Sequence, residues 1–462
     1  MLLGFTKLGE DTYLYTFNED SFEISLEKTE NRNGFFGEDL KIFMSREEEK
    51  LDFIDGVSLE SSNLRFFIHQ SRLLKHSTKT LKGRVSSYII YKGEVLNFNR
   101  LGFQSEELDY FYNKNQAIKF SIDKNDSGVF HLSTLPFNEL HQTFTFEHNN
   151  KEYDCSLNVS RSYKNEDVEL SLKTELAMQF KNNSTLEIED THKLVKSYMT
   201  LMKLISYRKN VDIPIIKLKK MDADGKYMHV ADYYFYYGKS DKVENKKILE
   251  RTINYMDISG EIGGLFKLIL NDQIYLEQIP ENSNDFFLIT ASRFIMVSAG
   301  FEWQQKLLNK KEVELLIEEN EKNLLQEKVL AYLEEEIKSH TGKNKKYFKG
   351  LKKLVQQRDN SLGSRIEKVL IDYDSILKPF ITNLYAISDS GDYSSDVTAE
   401  RLNEQRNDFA HGNLDKGYNK KVTVDFVILE WVYYILVLKH IGIDDLSIQK
   451  TINKLFNRRL AI

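Results

Sequence analysis

Cysteine is nearly absent from this 462-residue chain. Cys155 stands alone, so no internal disulfide can form and no cysteine cage can hold a metal, which points to a reducing, cytoplasmic setting. Prolines are equally scarce, four in all, and no low-complexity linker or internal repeat marks a boundary. Long hydrophobic runs are missing too. The most apolar stretch, Phe426–Leu438, spans 13 residues and carries Glu430, too short and too polar for a bilayer, so no membrane partner is expected. The N-terminal residues offer neither a basic leader nor an apolar core, and no signal peptide is expected. Charge of one sign is not in excess. The 64 basic and 70 acidic residues give a net charge of −6, so any contact with RNA falls to local patches.

Signatures of metal and nucleotide sites are lacking as well. The ten histidines are scattered, without a His-Glu-x-x-His pair, and neither a metal nor a cofactor is expected. Ser259–Gly264 is glycine-rich but fits neither a dinucleotide fingerprint nor a P-loop, so it reads as a turn. Asp222-Ala-Asp-Gly lacks the closing glutamate of a calcium loop and reads as a hairpin turn.

What is present divides the chain by texture. With 41% hydrophobic and 29% charged residues it is globular, and its length calls for two or three domains. Residues 1–180 read as short strands: Asp11–Phe17 and Ser21–Leu26 around a turn, Asn63–Ile68, Tyr88–Phe98, Ala117–Ile122, Val129–Leu132 and Val168–Leu172. Thr143–His148 and Tyr153–Val159 bracket Asn149-Asn150-Lys151 as a further hairpin, and the set suggests a sandwich or open barrel. Residues 185–280 are mixed, with a helix over Thr191–Ser206 and strands at Ile213–Leu218 and Tyr227–Tyr237. After Pro280 the pattern turns helical: Asp285–Leu308, Glu312–Lys338, Ser364–Tyr385, Asp396–His411 and Thr423–Ile441, with Pro379 placed to kink or end its helix. The expected class is therefore α+β, with a β-rich domain over 1–280 and an all-α bundle over 281–462.

The segment Glu404-Gln-Arg-Asn-Asp-Phe-Ala-His-Gly-Asn carries the clearest chemistry. Ala399, Leu402, Phe409 and Ala410 recur at three- and four-residue steps, and Arg406 falls on the same stripe. A guanidinium facing packed surface needs an anion, either a carboxylate such as Glu302 or Glu430 or a substrate phosphate. Gly412 is a natural helix stop. His411 would then sit at the C-terminus beside free carbonyls, where a protonated imidazole is favoured and proton transfer near neutral pH is feasible. Asn407 could orient either group. From spacing alone, Arg406 can equally be structural and His411 a simple cap.

Two further features stay open on the residues alone. Lys343, Lys345, Lys346, Lys349, Lys352 and Lys353 surround Tyr347 and Phe348, a composition that suits phosphates and unpaired bases and equally suits a solvated face. Thr423–Ile441 is apolar nearly all round, so it is either buried in the bundle or shared with a second subunit.

Arg406-Asn-Asp-Phe-Ala-His411 resembles the Arg-x4–6-His signature of HEPN ribonucleases, in the Arg-Asn-x-x-x-His form also seen in RNA-guided CRISPR ribonucleases. The likeness covers residues 281–462. The arrangement of the whole chain resembles ApeA-type anti-phage proteins, which join a β-rich N-terminal domain to a HEPN domain. Ala299-Gly-Phe-Glu302 and Ser361-Leu-Gly-Ser-Arg-Ile366 add to it. The resemblance implies a metal-independent endoribonuclease of abortive-infection defence, acting on RNA (tRNA included), with Arg406, Asn407 and His411 catalytic and Glu302 a supporting partner. It further implies a homodimer through the helical domain and an N-terminal domain that senses a phage-derived trigger or restrains activity. HEPN-like bundles also serve as non-catalytic nucleotide-binding or protein-docking scaffolds, which is the alternative reading.

Overall fold

The computed structural model describes residues 1–29, 48–93, 95–122, 130–164, 169–212, 215–236, 246–313, 321–358, 361–413, 416–418 and 420–462. The class is α+β, strand-rich toward the N-terminus and helical toward the C-terminus. Two compact units form: Met1–Met202 with Asn210–Glu244, and Lys203–Lys209 with Asn245–Ile462. This differs from a division at Pro280, because residues 245–280 belong with the helices. Their apolar side chains explain it: Ile253, Tyr255, Ile258, Ile262, Leu265 and Phe266 are all buried, and Gly264 lies directly against Ile441.

In the first unit the strands are β1 (Leu2–Leu8), β2 (Asp11–Asn18), β3 (Glu23–Lys28), β4 (Glu48–Lys50), β5 (Phe53–Ser58), β6 (Asn63–Lys75), β7 (Thr80–Tyr91), β8 (Arg100–Phe103), β9 (Ile118–Ile122), β10 (Phe130–Thr134), β11 (Gln142–His148), β12 (Lys151–Lys164), β13 (Glu169–Phe180), β14 (Ile216–Met221) and β15 (Tyr227–Phe235). The strand expected at Tyr88–Phe98 thus runs earlier, as β7. Along one edge β7 pairs with β6. Along the other it pairs first with β3, through Thr80–Arg84, and then with β15, through Ser87–Tyr91. Antiparallel pairs β3–β2, β2–β1, β1–β5 and β5–β6 complete a closed ring of six strands. Closure removes the free edges that an open sheet must protect. From β15 an open sheet continues through β14, β8, β13 and β12 to β11.

Inside the ring, Tyr15, Phe17, Ile24, Leu26, Ile54, Leu64, Phe66 and Tyr88 form the core. Its fit depends on two glycines. A Cβ on Gly4 would stand 2.1 Å from the Val57 carbonyl oxygen and 2.4 Å from the Tyr15 hydroxyl, and one on Gly56 would stand 2.8 Å from the Tyr15 ring. Tyr15 therefore fills the space that two missing side chains leave. On the open sheet, the helix Ile188–Ser206 lays Tyr198 over Phe103, with ring centroids 4.4 Å apart, and the Tyr198 hydroxyl meets Ser105 Oγ at 2.7 Å.

The second unit contains α1 (Ile262–Leu270), α2 (Ala291–Val313), α3 (Glu321–Ser339), α4 (Gly342–Arg358), α5 (Leu362–Asp372), α6 (Asp374–Ser388), α7 (Ser395–Ala410), α8 (Lys420–Ile441) and α9 (Asp445–Leu455). The helix α8 is its axis. Val422 and every residue from Phe426 to Leu438 except Val427 are buried, packed by α2, α7, α6 and α9 of the same chain. Of the two readings of this apolar helix, burial within the bundle is the one observed. Ser364–Tyr385 is two helices, α5 and α6, broken at Tyr373. Pro379 lies inside α6 without ending it: the Ser375 carbonyl, which a proline cannot bond, instead accepts from Gln449 Nε2 at 3.0 Å. Among the described residues, no helix is long and apolar enough to cross a membrane.

Candidate active site

The helix α7 presents Thr398, Ala399, Leu402, Gln405 and Phe409 to the core at helical spacing. Its end is built by the backbone. Gly412, with φ of 77°, donates to the Phe409 carbonyl at 3.1 Å, and Asn413 donates to Asp408 at 2.9 Å, the paired bonds of a Schellman cap. His411 N–H closes on Asn407 at 3.0 Å. The sequence places His411 beside free carbonyls; in the structure those of Asn407, Asp408 and Phe409 already have donors, and only the imidazole, which is exposed, is left to act. Asp408 beside it accepts from Lys416 Nζ at 2.9 Å and Asn413 Nδ2 at 3.1 Å. These donors, Lys416 foremost, hold its carboxyl below the usual range.

Arg406 is 35% exposed in its side chain and meets Glu302 of α2, Nη2 to Oε2, at 3.7 Å. Its Nη1 donates to Asn407 Oδ1 at 3.2 Å. Glu430 is out of the question as its partner: burial pushes that carboxyl upward against the pull of Arg293, with which it pairs, and of the Tyr207 hydroxyl. The other oxygen of Glu302 accepts from Arg365 of α5. Gly363 of α5 faces Asn403 and the Ala399 carbonyl of α7. Ser361 caps α5 by accepting from the Ser364 amide at 3.1 Å. Three helices thus converge on one carboxylate with a guanidinium on either side.

Behind this cluster lies a second network that sequence reasoning missed. Asp425 of α8, fully buried, accepts from Arg401 Nε at 2.7 Å and from the Tyr385 hydroxyl at 2.6 Å. Burial, and then the Asp425 carboxylate, push Tyr385 up to about 12. Arg365 was also missed. It stands three residues after Leu362 and four before Val369, both buried, which is the stripe rule that singles out Arg406.

The lysine-rich segment is the helix α4, which packs on α3 as a hairpin. Lys343, Lys346, Lys349 and Lys353 are exposed, Lys345 and Lys352 less so, and Lys352 pairs with Glu334. Phe348 turns inward onto His340, at 5.1 Å between ring centroids, while Tyr347 stays exposed. Among the described residues, no hydrogen bond or ion pair joins these lysines to Arg406 or His411. Nor does any group of three or more His, Cys, Asp or Glu stand ready for a metal among them. No protein-family model, curated protein or solved structure matches the chain.

Proposed function

We propose that the helical unit is a HEPN-type, metal-independent endoribonuclease and that the chain serves anti-phage defence in an ApeA-like arrangement. The observation that carries this reading is that Arg406 and His411 both reach solvent at the end of a helix whose other face is packed. A purely structural pair could be buried; here both groups remain within reach of a ligand.

Arg406 would hold the scissile phosphate through paired donors and neutralise the charge that builds on its oxygens. An imidazole would take the proton of the ribose 2′-hydroxyl as that oxygen bonds to phosphorus. The 5′-oxygen leaves with a proton from an imidazolium, and the upstream fragment keeps a 2′,3′-cyclic phosphate. Five residues along an α-helix turn through about 500°, which leaves Arg406 and His411 about 140° apart around α7. That offset favours sites shared between two copies, each drawing Arg406 from one copy and His411 from the other, in a homodimer through the helical unit. Since α8 is covered by its own chain, the dimer contact would use other helices. The β-rich unit would sense a phage-derived trigger or restrain the nuclease.

The test is cleavage of mixed tRNA and single-stranded RNA in EDTA by wild type, His411→Ala and Arg406→Ala, each checked for fold and assembly. Cutting by wild type alone, with cyclic phosphate ends, is the expected result. Equal cutting by all three would overturn the assignment.

A further inference from the structure

We propose that Arg365 is a second phosphate-binding residue of this site, forming with Arg406 a two-guanidinium clamp that Glu302 holds in place. The inference rests on the ribonuclease reading above and adds to it a residue outside the Arg-x4-His segment. Two arginines on different helices share one carboxylate: Arg365 Nη2 bonds Glu302 Oε1, and Arg406 Nη2 stands 3.7 Å from Oε2. Two positive groups against one negative leave a single uncompensated charge. One phosphodiester carries the opposite charge and matches it.

All three side chains are half-buried. The side chains of Arg365, Glu302 and Arg406 are 28%, 27% and 35% exposed, enough for a ligand to reach the guanidinium edges while their stems stay packed. A guanidinium has five donors in a planar fork. Arg365 spends Nη2 on Glu302 and Nε on the Ser361 carbonyl at 3.4 Å, and no protein acceptor for its Nη1 is found among the described residues. The backbone fixes the pair. Gly363 packs against Asn403 and the Ala399 carbonyl of α7, and the buried Gln305 of α2 donates to the Arg365 carbonyl at 3.3 Å. Glu302 is a positioning residue: it keeps two like charges adjacent, which the charges alone would not do.

The measurement is the affinity of the full chain for a single-stranded RNA whose 2′-hydroxyls are methylated so that it cannot be cut, across a range of potassium chloride. Each phosphate contact contributes about 0.7 to the slope of log affinity against log salt on single strands. Arg365→Ala should bind about tenfold more weakly at low salt with a slope shallower by about 0.7. Arg365→Lys should recover that slope, since the charge is restored, while cutting unmethylated RNA more slowly for want of the planar fork. Glu302→Gln should raise KM more than it lowers kcat. Wild-type affinity and slope in Arg365→Ala would overturn the clamp, as would an equal loss in Arg365→Lys, which marks a structural role.

Cleavage of unmethylated RNA by wild type and His411→Ala, run in parallel, separates the two ideas. If cutting depends on His411 while Arg365→Ala binds and cuts normally, the clamp falls and the ribonuclease reading stands. If wild type neither binds nor cuts, or His411→Ala cuts equally, the reading falls and takes the clamp with it.

Discussion

Arg401 donates through Nε to Oδ2 of Asp425 at 2.7 Å, and its Nη2 reaches Oδ1 at 3.2 Å, tying α7 to α8 five residues before Arg406. Asp425 is fully buried, so removing its partner strands a charge away from water. Arg401→Ala should cost about 3 kcal/mol, the size seen when one member of a buried pair is deleted, and Asp425→Asn should cost less. Both tryptophans, Trp303 and Trp431, lie in the helical unit, so their fluorescence during urea unfolding reads this loss directly. An unchanged midpoint for Arg401→Ala would show that the pair is not holding α7.

Gly4→Ala should disrupt the ring of strands. The new methyl would meet the Val57 carbonyl and the Tyr15 hydroxyl, neither of which can retreat without opening the β1–β5 pairing. Hydrogen exchange at Phe5 and Val57, cross-strand neighbours, should become much faster. Gly350→Ala is the control, since nothing lies within 4 Å of its added Cβ and it sits in a helix. There alanine should stabilise by about 0.5 kcal/mol.

His192 gives the N-terminal unit a pH dependence. It contacts Ser87 Oγ at 3.1 Å and packs beside Phe67 and Tyr233. Burial, with Lys196 adding to it, holds its imidazole below the ordinary 6.5. The folded chain then keeps the ring neutral where the unfolded chain takes up a proton. Stability from the neutral ring is complete above 6.5 and falls as pH drops from there to the depressed folded value. Protection of β6 and β7 amides should fall across that window in wild type and stay flatter in His192→Gln; parallel profiles would remove His192 from the account.

If each site draws Arg406 from one copy and His411 from the other, two inactive variants should rescue each other. Arg406→Ala and His411→Ala, co-expressed, form mixed dimers in which one of two sites is intact. Recovery should approach about a quarter of wild-type cutting, half the dimers carrying half their sites. A pair acting within one copy gives no recovery.

The exposed lysines of α4 lend themselves to charge reversal. Lys346→Glu with Lys349→Glu should weaken RNA binding and flatten its salt dependence. Lys352→Glu should act mainly on the α3–α4 hairpin, because its ammonium is engaged by Glu334. Equal RNA affinity in the double variant and wild type would mark this helix as a solvated face.

Where inward and outward residues alternate cleanly, strands could be read directly: Tyr15 and Phe17 on β2, Ile24 and Leu26 on β3. The strands β1 and β5 escaped because their buried positions carry few apolar side chains. On β1 the buried residues are Gly4 and Thr6, while Leu3 and Phe5 face outward; β5 buries Ile54 and Gly56 but turns Phe53 and Val57 outward. A rule that looks for alternating apolar residues inside passes over both. At the site, the stripe on α7 shows that Arg406 wants an anion, and Glu302 and Glu430 were the candidates. The choice between them is made by Arg293, whose pairing with Glu430 is a tertiary fact. Arg401 and Asp425 meet across a gap of 24 residues for the same kind of reason. The α5–α6 break at Tyr373 has no glycine or proline to announce it.

The strand β7 is held in common by the six-strand ring and the open sheet, one edge along its first half and the other neighbour along its second. A slip of one residue would turn its inward side chains outward in both at once. The ring and the open sheet therefore inherit one alignment from the strand they share, and a shift of the whole strand cannot spoil one of them and spare the other.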